Sequence, residues 1–372
     1  MHADLSTRLK TGYKKVMRNL PSPLRRAVGL ADYVRTNRIK IYRDPLQHPV
    51  EGLSHGVVTF SLDFELAWAW QYARRTDIDH VSLGLRERAQ VPVILNLLEE
   101  YEIPSTWATV GHLFLHSCSR DSAGRAHPEI PPVPRFRTEN WVYDGGDWFR
   151  NDPCTDYHKG PAWYAPDLIE DILHSKVRHE VGCHGFSHIG LGPYCPTEVV
   201  QAEIRACAQA MKPYGLAPST LVFPGNSEGH YHDLFDGGVR IIRSFPDPSV
   251  GVTLPVRRSE GLWAVHSSSA LERGAGWTIG QRLSRLHRFV DVAAEEKLAA
   301  HFWYHPSMDP RDLRDLLPPL LSYCAKLRDR GLIEILTMRD LVERVQALGI
   351  VQTNNGATNQ SRELHSQEPH NG

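Results

Sequence analysis

The sequence predicts an α/β protein built as a parallel barrel, and three observations carry that expectation. Short β-branched and aromatic runs alternate with helical segments about seven times between residues 56 and 350, the pattern of parallel strands joined by crossover helices. Several of those runs end in Asp, Glu or His, as chemistry-bearing residues do at the C-terminal rim of an α/β barrel. The phosphate-cradling patterns GxGxxG and GxxxxGK[ST] are absent, which argues against nucleotide-dependent chemistry.

The chain has 372 residues, 41% of them hydrophobic, enough to bury a barrel-sized core. Its formal charge of −1 is unevenly spread: residues 1–43 carry eleven Lys/Arg against Asp4 and Asp32, and the remainder is correspondingly acidic. We therefore expect a basic N-terminal extension over 1–50, a barrel over 51–351 with an inserted lid at about 117–162, and a polar tail over 352–372 too poor in apolar residues to fold. No run of 18 apolar residues occurs, so no membrane span is expected. The basic start lacks the apolar core of a secretion signal. The six cysteines follow no zinc-ribbon or disulfide-framework spacing, which fits reduced thiols and a cytoplasmic chain.

Taken in order, residues 8–43 read as a basic amphipathic segment. Leu9, Tyr13, Val16, Met17 and Leu20 stand at helical spacing before Pro21 and Pro23, which are expected to end the helix. Such a segment either lies on an anionic membrane surface or packs on the main domain; binding to nucleic acid is not expected. Gly56-Val-Val-Thr-Phe-Ser-Leu-Asp63-Phe-Glu65 is the first clear strand, and its period of two puts Asp63 and Glu65 on one side. Trp68 and Trp70 follow, as rings beside a sugar-binding cleft would. A helix (about 86–101) and a strand (106–114) precede the insertion, which is rich in Pro, Gly and Asp and carries Trp141, Trp148 and Asp152. An insertion of that length is a lid or disordered, and its tryptophans favour a lid.

A helix over 165–175 leads to Glu180-Val-Gly-Cys-His-Gly-Phe-Ser-His188. His184 and His188 are four apart, so a helix there would aim both imidazoles at one point, half of a divalent metal site. Gly185 stands where a zinc-protease motif has Glu, so any water-activating carboxylate comes from elsewhere. Thr197–Met211 reads as a helix with Thr197 as its cap. Strands are expected at 219–223 (running into Pro224-Gly225-Asn226), 238–243 and 262–267, then a helix over 277–297. In Leu298-Ala-Ala-His301-Phe-Trp303-Tyr-His305-Pro306, His301, Trp303 and His305 share one face and Pro306 stops the strand. A helix (311–330), a strand (332–336) and a final helix (338–348) follow.

Asp63-x-Glu65, His184-x-x-x-His188 and His305 together resemble the polysaccharide deacetylase superfamily, also known as the NodB-homology or carbohydrate esterase family 4 group. The likeness spans roughly residues 56 to 350 and is strongest at Glu180–His188, close to E-[IV]-G-x-H-[TG]-x-x-H, and at His301-Phe-Trp-Tyr-His305-Pro. It implies a distorted (β/α)7 barrel and a divalent cofactor, zinc first among candidates. It also implies Asp63 as catalytic base, His184 and His188 as metal ligands, and His305 as catalytic acid. The family's Thr-Phe-Asp-Asp-Gly motif has its second Asp replaced here by Phe64, so Glu65 becomes the third ligand by a known Asp-x-Glu variant. Trp303 takes the place of a leucine that lines the acyl pocket; Trp148, Asp152, Pro224, Gly225 and Asn226 are the expected substrate contacts. The motif arginine that orients the base is missing around Phe223–Asn226, leaving Arg240 or Arg243 to supply it, and Asp247 is a candidate to orient His305. The implied activity is metal-dependent removal of an N-acetyl group from an acetamido sugar, a nucleotide- or lipid-linked intermediate of surface-polysaccharide assembly. The alternatives are a related hydrolase of formyl or ureide C–N bonds and an inactive glycan-binding member.

Overall fold

The computed structural model describes residues 17, 20–38, 42–43, 53–74, 79–138, 141–245, 251–273 and 276–349. The expected tail over 352–372, Asp247 and most of the basic leader lie outside these. Helix α1 (Ser22–Arg38) begins where the sequence reading ended a helix. Proline lacks the N–H that a first turn leaves unbonded anyway, so Pro23 opens a helix instead of closing one. α1 meets the main domain through Gly29, where a Cβ would lie 2.2 Å from the Gly276 carbonyl oxygen. Tyr33 packs edge-on against Trp277, whose indole N–H donates to Asp32 at 3.1 Å.

The barrel is laid down in chain order. Its strands are β1 (Gly56–Phe64), β2 (Thr106–Thr109), β3 (Glu180–Cys183), β4 (Thr220–Val222), β5 (Ile241–Ser244), β6 (Trp263–His266), β7 (Ser269–Ala270), β8 (Ala299–Tyr304) and β9 (Ile333–Leu336). β1 through β6 pair successively and in parallel, and β8 returns to pair in parallel with β1. The stretch 263–270 completes the circuit in two halves, β6 against β5 and, after Ser267-Ser268, β7 against β8. β9 shares one edge of β1 with β2, taking Gly56–Thr59 while β2 takes Ser61–Phe64. This split pairing is the distortion of the seven-stranded barrel expected from sequence.

β1 is buried along its whole length, which explains its nearly continuous apolar run: a central parallel strand has both faces covered. Gly56 is required at its start, because a Cβ would lie 2.3 Å from the Ala293 carbonyl oxygen. The helices that wrap the sheet are α2 (His80–Glu100), α3 (Pro166–Leu173), α4 (Thr197–Met211), α5 (Tyr231–Asp236), α6 (Ile279–Glu296), α7 (Pro310–Asp329) and α8 (Met338–Ala347). Asp79 caps α2 by accepting from the Val81 and Ser82 N–H groups, and Thr278 with Gln281 forms a capping box on α6. Thr197 does not cap α4; the N-cap is Pro196, and no side chain serves there. β2 is also shorter than the sequence run, because Val110 turns into a 3₁₀ segment, Gly111–Phe114.

Candidate active site at the barrel mouth

Three strand ends and one loop bring the predicted residues together. β1 delivers Asp63 within the strand and Glu65 just beyond it, where the chain breaks into the 3₁₀ turn Leu66–Ala69. Both carboxylates are almost completely buried. The Glu65 N–H donates to Glu87 Oε1 at 2.8 Å, which fixes the break from α2. Burial, then the nearby Glu65 charge, pushes the Glu87 carboxyl well above its ordinary pKa.

His184 and His188 converge without a helix. β3 ends at Cys183, and the following loop turns through two left-handed residues, Gly185 (φ 70°) and His188 (φ 62°). A buried carboxylate holds it: Glu203 on α4 accepts from the Phe186 and Ser187 N–H groups at 2.7 and 3.0 Å, and from Ser187 Oγ at 2.7 Å. The i,i+4 spacing therefore works through a strained turn instead of a helix face. His184 Nδ1 donates to the Val222 carbonyl at 2.8 Å, which leaves Nε2 with its lone pair facing the site. That Nε2 lies 2.9 Å from Glu65 Oε1, and His188 Nε2 lies 3.1 Å from the same oxygen. Glu65 Oε2 is buried and has no partner among the described residues.

The His184 lone pair aimed at a buried carboxylate, with an orphaned oxygen beside it, is repulsive unless a cation or a proton intervenes. Burial pulls the His188 pKa down, only partly offset by Glu65, which disfavours the proton. Two His and one carboxylate suit a divalent first-row metal, with positions left open.

Asp63 is held differently. Arg243 on β5 meets it with both guanidinium nitrogens, Nη1 to Oδ1 at 2.5 Å and Nη2 to Oδ2 at 2.7 Å. Burial raises the Asp63 pKa, but Arg243, His184 and His305 together bring it below the ordinary value. Arg243 also donates to Ser61 Oγ (3.0 Å) and Asn226 Oδ1 (3.3 Å). Ser61 Oγ lies 2.9 Å from His301 Nε2, whose Nδ1 is 2.7 Å from Thr59 Oγ1. Burial and the adjacent Arg243 hold the His301 pKa down to about 3, so this ring is neutral scaffolding. Of the two candidate arginines, Arg243 takes the missing position; Arg240 instead donates to the Phe235 and Val239 carbonyls.

His305 Nε2 is 3.8 Å from Asp63 Oδ2 and 3.7 Å from Glu65 Oε1, with a third of its side chain exposed. Trp70 and Trp303 flank it, ring centroids 6.3 and 5.5 Å away. Trp303 also carries the Arg243 guanidinium over its face, 4.6 Å from the ring centroid. A cleft of about 210 Å³ opens beside His188, lined by Trp68, Tyr72, Phe136, Trp141, Trp148 and Tyr194 and floored by Pro224, Gly225, Asn226 and Ser227. The described residues of the insertion thus line the cleft, with a short pairing of Phe136–Arg137 against Val142–Tyr143. Trp141 sits over Gly225, where a Cβ would come 2.9 Å from the indole.

Asp152 is the correction among the expected substrate contacts. It turns away from the cleft, fully buried, to His112 Nε2 (3.1 Å) and Tyr164 Oη (2.8 Å), because its neighbours His112, His127 and Tyr164 offer the polar partners a buried carboxylate requires. Glu87 and Glu203 were not singled out from sequence. Nothing in a single sequence distinguishes a helix glutamate that turns inward from one that meets water.

No protein-family model matches the sequence, and no curated protein matches it. Solved structures do match the fold. One is described as "putative polysaccharide deacetylase from Mycobacterium smegmatis", with TM-score 0.56 and 15% identity over 80% of this chain and 92% of that one. A second is Puue allantoinase, with TM-score 0.56 and 13% identity over 83% and 96%. A third is described as "probable Polysaccharide deacetylase from Pseudomonas aeruginosa PAO1", with TM-score 0.56 and 12% identity over 83% of this chain and 97% of that one.

Proposed function

We propose that this chain, which has the fold of the polysaccharide deacetylase superfamily, is a metal-dependent hydrolase that removes an N-acetyl group from an acetamido sugar. The observation that carries the reading is the meeting of Glu65, His184 and His188 beside an arginine-clamped Asp63 and a solvent-reaching His305. Glu65, His184 and His188 would hold the ion; zinc suits two imidazoles and a carboxylate. When bound, it supplies Lewis acidity toward the amide carbonyl and toward a water.

The chain's own residues supply the rest. Asp63 accepts the proton of the attacking water, its carboxylate aimed and kept ionised by Arg243. His305, at the edge of the cleft, delivers a proton to the departing sugar nitrogen, which is otherwise a poor leaving group. Trp141, half-buried at the cleft, offers a stacking face for a sugar ring, and the buried Trp68 and Trp148 exclude water from the cleft wall. The substrate we favour is a nucleotide- or lipid-linked amino sugar on the cytoplasmic side. Exposed Leu24 and Leu30 beside Arg25 and Arg26 on α1 support contact with anionic lipid.

The test is release of acetate from acetamido-sugar substrates by the zinc-loaded protein, with allantoin and a formamide as comparison substrates. Turnover confined to the acetamido sugar supports the proposal. Turnover of allantoin alone favours the ureide reading, which the shared fold of an allantoinase keeps in play. No turnover with any amide and no bound metal leaves a glycan-binding protein.

A further inference from the structure

Away from the cleft, under the insertion, a second group of potential metal ligands meets at one point: His112, Cys118, His127 and Asp152, one ligand atom from each lying within 4.8 Å of the others. His112 belongs to the barrel, on the 3₁₀ turn after β2. The other three come from the insertion. His112 and Asp152 are wholly buried and His127 nearly so.

The hydrogen-bond partners around the cluster decide what its centre lacks. His112 Nδ1 faces the Trp163 carbonyl at 3.3 Å, and His127 Nδ1 faces Glu129 Oε1 at 3.3 Å. Each outer nitrogen meets an acceptor and therefore carries the ring hydrogen, which leaves both Nε2 atoms bare. Those two Nε2 atoms point at each other across 3.1 Å. Asp152 Oδ1 accepts from Tyr164 Oη (2.8 Å) and from the Cys154 N–H (2.9 Å), so its Oδ2 is the oxygen turned inward. That oxygen is 3.1 Å from His112 Nε2, 3.9 Å from His127 Nε2 and 3.2 Å from Cys118 Sγ. Two lone-pair nitrogens and a carboxylate oxygen thus converge, with the thiol hydrogen as the one donor among the four ligand atoms.

We propose that this cluster is a second, structural zinc site, closed by four protein ligands: His112 Nε2, Cys118 Sγ, His127 Nε2 and Asp152 Oδ2. Tetrahedral zinc with bonds of about 2.0–2.3 Å spaces its ligand atoms roughly 3.3–3.6 Å apart, and the separations given above bracket that range. Binding displaces the Cys118 thiol proton to solvent, so the added charge of the ion is met by a thiolate and a carboxylate. The mixture of one sulfur, two imidazoles and one oxygen selects zinc over calcium or magnesium, which prefer all-oxygen shells. The two sites differ in kind. The barrel-mouth site has three protein ligands and lies beside a cleft, whereas this one has four, which leaves no position open, the mark of a structural ion. Its role is to pin the insertion to the barrel: it joins the turn after β2 to the loops that carry Trp141 and Trp148 to the cleft. The His112 ring also packs on Trp68 (4.5 Å) and Phe186 (5.6 Å), so the pin reaches both the cleft wall and the metal-binding loop of the mouth site.

Metal analysis of the full chain, purified with zinc and freed of loose ion by gel filtration, tests this. Wild type should hold two zinc ions, His184→Ala one, His127→Ala one, and the double variant none. Cobalt replacement adds an independent readout: a thiolate-to-metal charge-transfer band present in wild type and His184→Ala, and lost in Cys118→Ser. A wild type holding a single ion that is lost in His184→Ala but kept in His127→Ala, with no thiolate band, overturns the second site and leaves the proposed activity standing. The reverse, a single ion lost only in His127→Ala, supports the structural site and removes the catalytic one.

Discussion

Two carboxylates stand two residues apart at the end of β1, and their partners differ. Asp63 is met by a two-pronged arginine, with a chain of hydrogen bonds running on through Ser61 and His301. Among the described residues, Glu65 is met by imidazole nitrogens alone, and its second oxygen has no partner. Strand alternation places both at the barrel mouth; the neighbouring strands decide what each can do. An anion already satisfied by a fixed cation needs no metal and is free to accept a proton. An anion facing an imidazole lone pair is satisfied by a cation supplied from outside. Under the proposed function, that difference gives Asp63 the proton-transfer role and Glu65 the ion-binding role.

The comparison breaks most visibly at the imidazoles. His184→Ala should lose the mouth ion and bring acetate release to background, measured with the acetamido-sugar assay. Asp63→Asn should slow turnover by about 10²–10⁴-fold, the usual scale for losing a general base, while keeping that ion. Arg243→Met leaves Asp63 buried without its counter-charge, which should destabilise the fold by about 3–5 kcal/mol in a denaturant titration. Double replacement with Asp63→Asn should recover much of that loss, because no charge is then stranded.

A smaller effect tests the loop that carries the histidines. Burial raises the Glu203 pKa to about 7 despite its three donors, above the ordinary value near 4.5. Between those values the unfolded chain gives up its proton first, so this group's contribution falls as pH rises from about 4.5 to 7. Glu203→Gln should flatten that part of the stability–pH curve, a change on the order of 3 kcal/mol across the window. Smallest of all, Trp141→Ala should raise KM several-fold with little change in kcat, since the ring lines the cleft without reaching the carboxylates.

Much of this site was legible in the sequence because its parts are local: Asp63 and Glu65 by strand period, His184 and His188 by spacing, His305 by the proline that stops its strand. The parallel barrel followed from the alternation of strands and helices. What was not legible depends on which way a side chain turns after the chain has folded. Arg240 just precedes β5 and Arg243 lies within it, and the two read alike, yet only Arg243 faces inward to Asp63. The left-handed turn at Gly185 and His188 does the work that the spacing assigned to a helix. Pro23 begins α1 where the sequence predicts a stop, because the N–H that proline lacks is unbonded in a helix's first turn. Asp152 belongs to a buried cluster assembled from four separate points of the chain, and no sequence window contains enough of it to reveal the partners.

Zinc counting on Asp63→Asn beside Glu65→Gln puts the division of labour between the two carboxylates to its most direct test. Asp63→Asn should hold as many ions as wild type and Glu65→Gln one fewer. An ion lost with Asp63→Asn and retained with Glu65→Gln would contradict it.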